Sequence, residues 1–240
     1  STDQIDDVRK LVSEDRARLT EGERTTLMAF LEAGSEERFN EQSWETAYER
    51  ASADENREHM ILLARLAVTR TRFEEADRAY ARATELSFEP EIQRDLARER
   101  SRVLLALGRF EEARDLLASV ADLLEPDDVI VNDYLYLDLL YDGDPEAALR
   151  RLEPLIAAYP EAPTFKATAA FAHWRNGDAG TALTTLEALP TDHRNRPSVT
   201  LLLALVKKTL GEAEAAADLA AGVDAAKLSA PEAAILADYF

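Results

Sequence analysis

The side chains able to do chemistry in this 240-residue chain are three histidines, 47 carboxylates and 28 lysines and arginines, with no cysteine. His59 follows Glu58 with no second histidine one helical turn away, so two imidazoles cannot share a zinc from one helix face. His173, beside Trp174, reads as a satisfied core imidazole, and His193, in the polar run Thr191–Arg196, as a solvated one. The sequence lacks a Gly-x-Ser-x-Gly elbow, a phosphate-cradling glycine loop and a dinucleotide fingerprint. Without cysteine there is no thiol nucleophile, disulfide framework or Cys-ligated zinc. Carboxylates gather at Asp122, Glu125, Asp127, Asp128 and Asp133, and again at Asp138, Asp142, Asp144 and Glu146. A calcium loop needs alternating oxygen ligands, a glycine at its sixth place and a glutamate at its twelfth, and Asp142-Gly143-Asp144 lacks that register. Helix N-termini and solvated turns account for these acids better. Neither catalysis, a metal nor a cofactor is expected.

What remains is recognition. The net charge of -19 repels phosphate backbones and anionic lipid, which argues against nucleic acid and against membrane binding. No run approaches the roughly 18 apolar residues of a membrane helix; Val199–Val206 is broken by Thr200 and stopped by Lys207-Lys208. Absence of cysteine suits an oxidising and a reducing compartment equally, so localisation stays open between cytoplasm and export after signal removal. The opening Ser1-Thr2-Asp3-Gln4, without an initiator Met, fits a chain from which residues have been removed.

The elements that would position a recognition surface repeat. Arg70–Ala76, Leu107–Ala113, Asp142–Ala148, Asn176–Ala182 and Leu210–Ala216 align, each a turn followed by a small residue one helical turn on. Gly108, Gly143, Gly177 and Gly211 fall 35, 34 and 34 residues apart, and Thr71 takes the glycine's place 37 earlier. These glycines are expected to end a first helix in the left-handed conformation, and Thr71-Arg72-Phe73-Glu74 to form a capping box instead. Ala76, Ala113, Ala148, Ala182 and Ala216 then allow a second helix to approach closely. Further apolar residues follow four and seven positions later, such as Leu117 and Val120 or Leu186 and Leu189, making one stripe.

A 34-residue helix–turn–helix period with a Gly-x-aromatic-x-x-Ala core, clearest at Gly108, Phe110 and Ala113, resembles the tetratricopeptide repeat. Pro145, Ala179 and Ala213 depart from the usual aromatic, and Tyr136 and Ser101 from a usual small apolar residue. The resemblance implies an all-α, right-handed solenoid of stacked antiparallel hairpins, with about five repeats over residues 55–228. Residues 1–54 read as N-terminal capping helices with a degenerate repeat containing Trp44, and residues 229–240 as a C-terminal helix, either a cap or the start of a further repeat.

In such a stack the first helices line an inner groove. Register places Arg65, Arg98 and Arg102 there, then Tyr141, Phe171, Trp174, Arg175 and Lys208, together with Leu137, Leu201 and Leu205. Cations and aromatics on one groove suit a protein or extended peptide, acidic and with an apolar anchor. The alternative is that Phe171 and Trp174 pack between helices and that Arg98 and Arg102 pair with acids of their own helix. The Lys/Asn/Arg carboxylate clamp of chaperone-binding members is missing, since its places hold Ile61, Arg65, Glu99, Thr164 and Thr168. A non-catalytic interaction scaffold is the leading expectation, and a regulatory or docking arm of a larger enzyme continuing past Phe240 the second. An RNA-binding helical repeat is disfavoured by the charge. Self-association through the apolar helix bearing Tyr239 and Phe240 is compatible with either of the first two.

Overall fold

Polar caps and prolines mark where this chain turns into helix. Asn40, Asn56, Asp144, Asp178 and Ser229 each accept a hydrogen bond from a backbone N–H two or three residues on. Pro90, Pro145, Pro163 and Pro197 open helices at the position where their missing N–H costs nothing. The computed structural model describes residues 40–123 and 128–240, together with Leu27 and Leu31. Among these the helices are α1 (Glu41–Ala53), α2 (Arg57–Thr69), α3 (Phe73–Glu85), α4 (Pro90–Ala106), α5 (Phe110–Val120), α6 (Asp128–Leu140), α7 (Pro145–Ala158), α8 (Pro163–Arg175), α9 (Ala179–Glu187), the single turn α10 (Thr191–Arg194), α11 (Pro197–Thr209), α12 (Ala213–Ala221) and α13 (Ala230–Tyr239). No strand occurs among the described residues. Most of the N-terminal capping helices expected within residues 1–54, and the acids Glu125 and Asp127, lie outside them. Leu27 and Leu31 are helical and buried.

The chain forms two compact units, residues 1–116 and 117–240. In the first, α1 packs on α2, α2 on α3 and α3 on α4. Its core joins Trp44, Met60, Leu63, Tyr80, Leu96 and Val103 to the small residues Ala47, Ala64, Ala76 and Ala83. In the second, α6 packs on α7, α7 on α8, α8 on α9, α9 on α11 and α11 on α12, while the first helices α6, α8 and α11 also meet in succession. The alanines expected at the close approach of two helices, Ala76, Ala113, Ala148, Ala182 and Ala216, are all 0–2% exposed. α8 buries Phe165, Thr168, Ala169, Ala170, Phe171 and Ala172, a distribution around the helix rather than along one stripe, as a helix with neighbours on several sides requires.

The repeat also appears in the side-chain bonds. Arg65 reaches Glu99 across 34 residues, Arg109 reaches Asp77 across 32, Trp174 reaches Thr209 across 35 and Arg175 reaches Asp142 across 33. Each links a position to nearly the same position one period away, so polar groups as well as apolar ones join successive hairpins.

The turns correct two expectations. Gly108, Gly177 and Gly211 are left-handed, at φ 74°, 81° and 85°, but Gly143 is not; Asp142 holds that conformation at φ 64°. Aspartate tolerates the left-handed region better than most residues. Gly143 is needed for space instead. Its N–H donates to the Asp138 carbonyl at 2.9 Å, and a Cβ would lie 2.7 Å from that oxygen and closer still to the Asp138 carboxylate. In the first unit Thr71 is itself left-handed at φ 55°, its hydroxyl donates to the Arg70 carbonyl, and α3 starts after Arg72 with no side-chain cap. The capping box does not form, because a residue bent left-handed to end α2 is not in the extended conformation a cap requires. A β-branched residue is costly there. Thr71→Gly should stabilise the first unit by about 1 kcal/mol, whereas Gly143→Ala should destabilise the second by about 1–3 kcal/mol through overpacking. Urea unfolding of both variants checks the opposite signs.

Candidate protein-binding site

In the first unit the predicted cations are largely engaged by acids. Arg65, on α2, makes a two-pronged bond to Glu99 on α4, Nε–Oε2 2.9 Å and NH2–Oε1 2.6 Å. Arg98 lies 3.8 Å from Asp95 on its own helix. Arg102 is exposed, and its charge helps to keep Glu99 ionised. The patch expected to be positive is therefore interleaved with carboxylates. Tyr80 Oη donates to Glu99 at 2.6 Å, and burial, reinforced by that carboxylate, pushes the phenol well above its ordinary value. Burial pushes Glu99 up as well, but the bonds from Arg65 and Tyr80 outweigh it and leave the carboxyl below its ordinary value. A carboxyl with a depressed folded-state pKa contributes stability that is complete at neutral pH and lost as pH falls through the ordinary carboxylate range to that lowered pKa. Glu99→Gln should therefore cost about 1 kcal/mol at pH 7, a partly exposed ion pair being discounted for solvent screening. The gap to the parent should narrow as pH falls below the ordinary carboxylate range, as paired urea titrations would measure.

In the second unit the predicted residues separate into three roles. Arg175 turns back to α6, donating NH1 to the Leu139 carbonyl at 2.9 Å and NH2 to Asp142 at 3.1 Å, which places a cation on the carbonyl end of α6. It joins two repeats rather than facing a groove. Tyr141 is half-buried in the turn after α6, where its N–H donates to the Asp138 carbonyl. Phe171 is only 4% exposed, contrary to the exposed position expected, and Leu137, Leu201 and Leu205 are buried with it. Its ring stacks on Trp174, centroids 5.9 Å apart and planes at 15°, and meets Tyr136 at 5.8 Å.

Part of what covers this face is α13. The helix is fixed at its start by a capping box in which Glu232 Oε2 accepts from the Ser229 N–H at 2.7 Å and its hydroxyl at 2.6 Å. The other oxygen of Glu232 accepts from the Tyr136 hydroxyl on α6, 96 residues earlier. Burial pushes the Tyr136 phenol well above its ordinary value, and the facing carboxylate adds to this, so the hydroxyl keeps its proton as donor. About two turns further on, Tyr239 meets the Trp174 ring edge-on at 5.7 Å. Trp174 Nε1 donates to Thr209 Oγ1 at 2.9 Å. Lys208 donates to the Tyr239 carbonyl and lies 4.6 Å over the Phe240 ring. The C-terminal helix thus folds back over α6, α8 and α11, and the apolar face expected to stand open is partly turned inward, with Tyr239 and Phe240 still 42% and 46% exposed.

Beneath α13 is a pocket of about 170 Å³, walled by apolar residues of α8 and α11 and by Asn132, Tyr136, His193, Arg196, Glu232 and Ile235. Asn132 is 7% exposed, and its Oδ1 has no hydrogen-bond partner. His193 is not solvated as expected. Its side chain is 18% exposed and its buried Nδ1 lacks a hydrogen-bond partner, with Asp192 Oδ2 3.3 Å away. His173 is half-buried, with Nδ1 3.9 Å from Asp178. Sequence reasoning missed Asn132, Tyr136, His193, Arg196 and Glu232 as members of one site. The available signal was Tyr136, a large phenol where the repeat usually has a small apolar residue.

Among the described residues no cluster of His, Asp and Glu could hold a metal ion, and no helix is long and apolar enough to cross a membrane. Residues 96–119 and 139–206 match models of the tetratricopeptide repeat. No curated protein matches the chain significantly. Among solved structures, that of PilW, described as a widely conserved type IV pilus biogenesis factor, is similar with a TM-score of 0.51 and 17% identity, over 91% of this chain and 100% of its own. The repeat models coincide with the observed hairpins, and the structural likeness carries the same fold across most of the chain. Residues 96–119 and 139–206 are thus similar to tetratricopeptide repeats, and they sit in an all-α fold of successive helix hairpins.

Proposed function

We propose that this chain is a non-catalytic interaction scaffold that binds a protein partner on the face of α6, α8 and α11, with Trp174 and Lys208 as principal contacts. The observation that carries the reading is that this face holds a helix through three kinds of side-chain contact: a hydrogen bond from Tyr136, an aromatic edge on Trp174 and the Lys208 ammonium on a main-chain carbonyl. Aromatic and cationic anchors of this type dominate protein recognition. Arg98 and Arg102 are a weaker candidate surface in the first unit, because Asp95 and Glu99 stand among them. The test is affinity capture from the native cell with the full chain, its Trp174→Glu variant and its Arg98→Glu/Arg102→Glu variant. Loss of a reproducible partner with Trp174→Glu alone is the expected result; an unchanged partner set with that variant would sink the assignment.

A role in building a multiprotein surface assembly is a second reading. It is favoured by the match of this chain to the whole length of a protein described as a pilus biogenesis factor. Capture of fibre subunits or their assembly proteins would support it.

A further inference from the structure

α13 does not sit as a continuing repeat would. Successive first helices meet in sequence, α6 with α8 and α8 with α11, yet α13 also reaches α6 through Tyr136. The residues it presents are Glu232, Ile235 and Tyr239, at i, i+3 and i+7, a single stripe along one helix face. It is a short, alanine-rich helix that meets a receiving surface along one stripe.

The fit is incomplete. Four of its ten residues are alanine, at 230, 233, 234 and 237, and Ile235 and Glu232 are the α13 side chains lining the pocket of about 170 Å³ below it. Asn132, which lines that pocket, has a buried Oδ1 with no hydrogen-bond partner, and the buried Nδ1 of His193 has the Asp192 carboxylate 3.3 Å away but no hydrogen bond, although buried polar atoms are almost always satisfied. A larger side chain carrying a donor, in the place of Ile235, would fill the void and meet these atoms. The grip on α13 is also modest: Lys208 binds a main-chain carbonyl that any helix end would offer, and both terminal aromatics remain nearly half exposed. A ten-residue helix is marginal in isolation, so α13 owes its order to this docking.

We propose that the face of α6, α8 and α11 is a receptor for an amphipathic helix of an acidic partner, with a carboxylate, a bulky donor-bearing residue and an aromatic at i, i+3 and i+7, and that α13 is its built-in, displaceable stand-in. The inference rests on the functional reading above and adds the partner's chemistry and the competition. The groups that touch α13 agree with this: the Tyr136 hydroxyl meets the Glu232 carboxylate and Lys208 the helix end, while Arg196 offsets Asp133 in the pocket lining, so the partner's acids would fall at the Tyr136 and Lys208 ends.

The test uses the full chain and two fluorescent synthetic peptides, residues 228–240 and the same peptide with Ile235→Trp. α13 is released in one variant by Glu232→Ala/Tyr239→Ala and in another by Tyr239→Ala alone, each checked by circular dichroism for a loss of helicity no larger than the ten residues of α13 and by urea unfolding for an otherwise intact second unit. The expected result is at least tenfold tighter peptide binding by the released chains than by the parent. The Trp peptide should bind tighter than its parent peptide, and Tyr136→Phe in the released chain should weaken both. Equal affinity for released and parent chains, or binding to neither, would overturn the inference. A doubled mass in light scattering that disappears when residues 229–240 are removed would identify a second copy as the occupant and overturn it too. Failure here with partner capture still sensitive to Trp174→Glu would leave the functional reading standing, whereas insensitive capture would remove that reading itself.

Discussion

Asp77→Ala should cost the first unit about 3 kcal/mol. Asp77 is on α3 and is 7% exposed, and its carboxylate takes Arg100 Nε at 2.6 Å and Arg109 NH1 at 2.7 Å. Those two arginines come from α4 and from the turn before α5, so one carboxylate fixes three parts of the unit. Removing it leaves two guanidinium groups facing one another around an emptied, mostly buried site. Breaking a buried pair by deleting one partner typically costs about 3–5 kcal/mol, and the partial solvent access of both arginines places the value at the lower end. The chain has two tryptophans, Trp44 in the first unit and Trp174 in the second, so a Trp174→Phe background leaves Trp44 as sole indole reporter of this change. The expected observation is a clear fall in its urea midpoint. An unfolding free energy within about 0.5 kcal/mol of the parent, the range of ordinary surface changes, would mean that the triad is not holding the unit together.

Trp44→Ala should be as damaging, at about 3–5 kcal/mol. Its ring is 1% exposed, stacks on Tyr48 at 5.3 Å and lies under the Arg78 guanidinium at 5.1 Å. The indole Nε1 donates to the Leu63 carbonyl of α2 at 3.3 Å. Truncation opens a cavity between α1 and α2, removes the platform for Arg78 and strips a donor from a buried carbonyl. Hydrogen exchange should register it as faster opening of α1 and α2 amides. Trp44→Phe should recover most of the packing but not the hydrogen bond, which is worth about 1 kcal/mol. Equal exchange in the parent and Trp44→Ala would contradict the assignment of this indole to the core.

The hairpins were legible because they depend on local chemistry that recurs. A turn that ends one helix and an alanine that admits the next must return at nearly constant spacing, and Gly108, Gly177 and Gly211 do so in the expected backbone conformation. The exceptions also have local causes. Asp142 substitutes for the left-handed glycine and moves Gly143 to a sterically crowded place, while Thr71 accepts a strained conformation instead of capping α3. The site was less legible. Register named Trp174 and Lys208, each of which contacts Tyr239, but the burial of Phe171 and Leu205 depends on surrounding helices, α13 among those near the face, and α13 lies outside the 34-residue period. The bond from Tyr136 to Glu232 spans 96 residues, and no periodic pattern in the sequence predicts it. Register sets Arg65 and Arg175 on first helices but does not show that their acids one repeat away, Glu99 and Asp142, claim them first.

The most direct measurement is nuclear Overhauser contact between aromatic rings in the full chain, with Trp174, Tyr136 and Tyr239 selectively labelled. The account predicts cross-peaks from the Tyr239 ring to the Trp174 indole and from Tyr136 to the side chain of Glu232, together with slowed amide exchange through α13. A Trp174 ring with contacts only to its own hairpin neighbours, beside a 229–240 segment exchanging like free peptide, would contradict it.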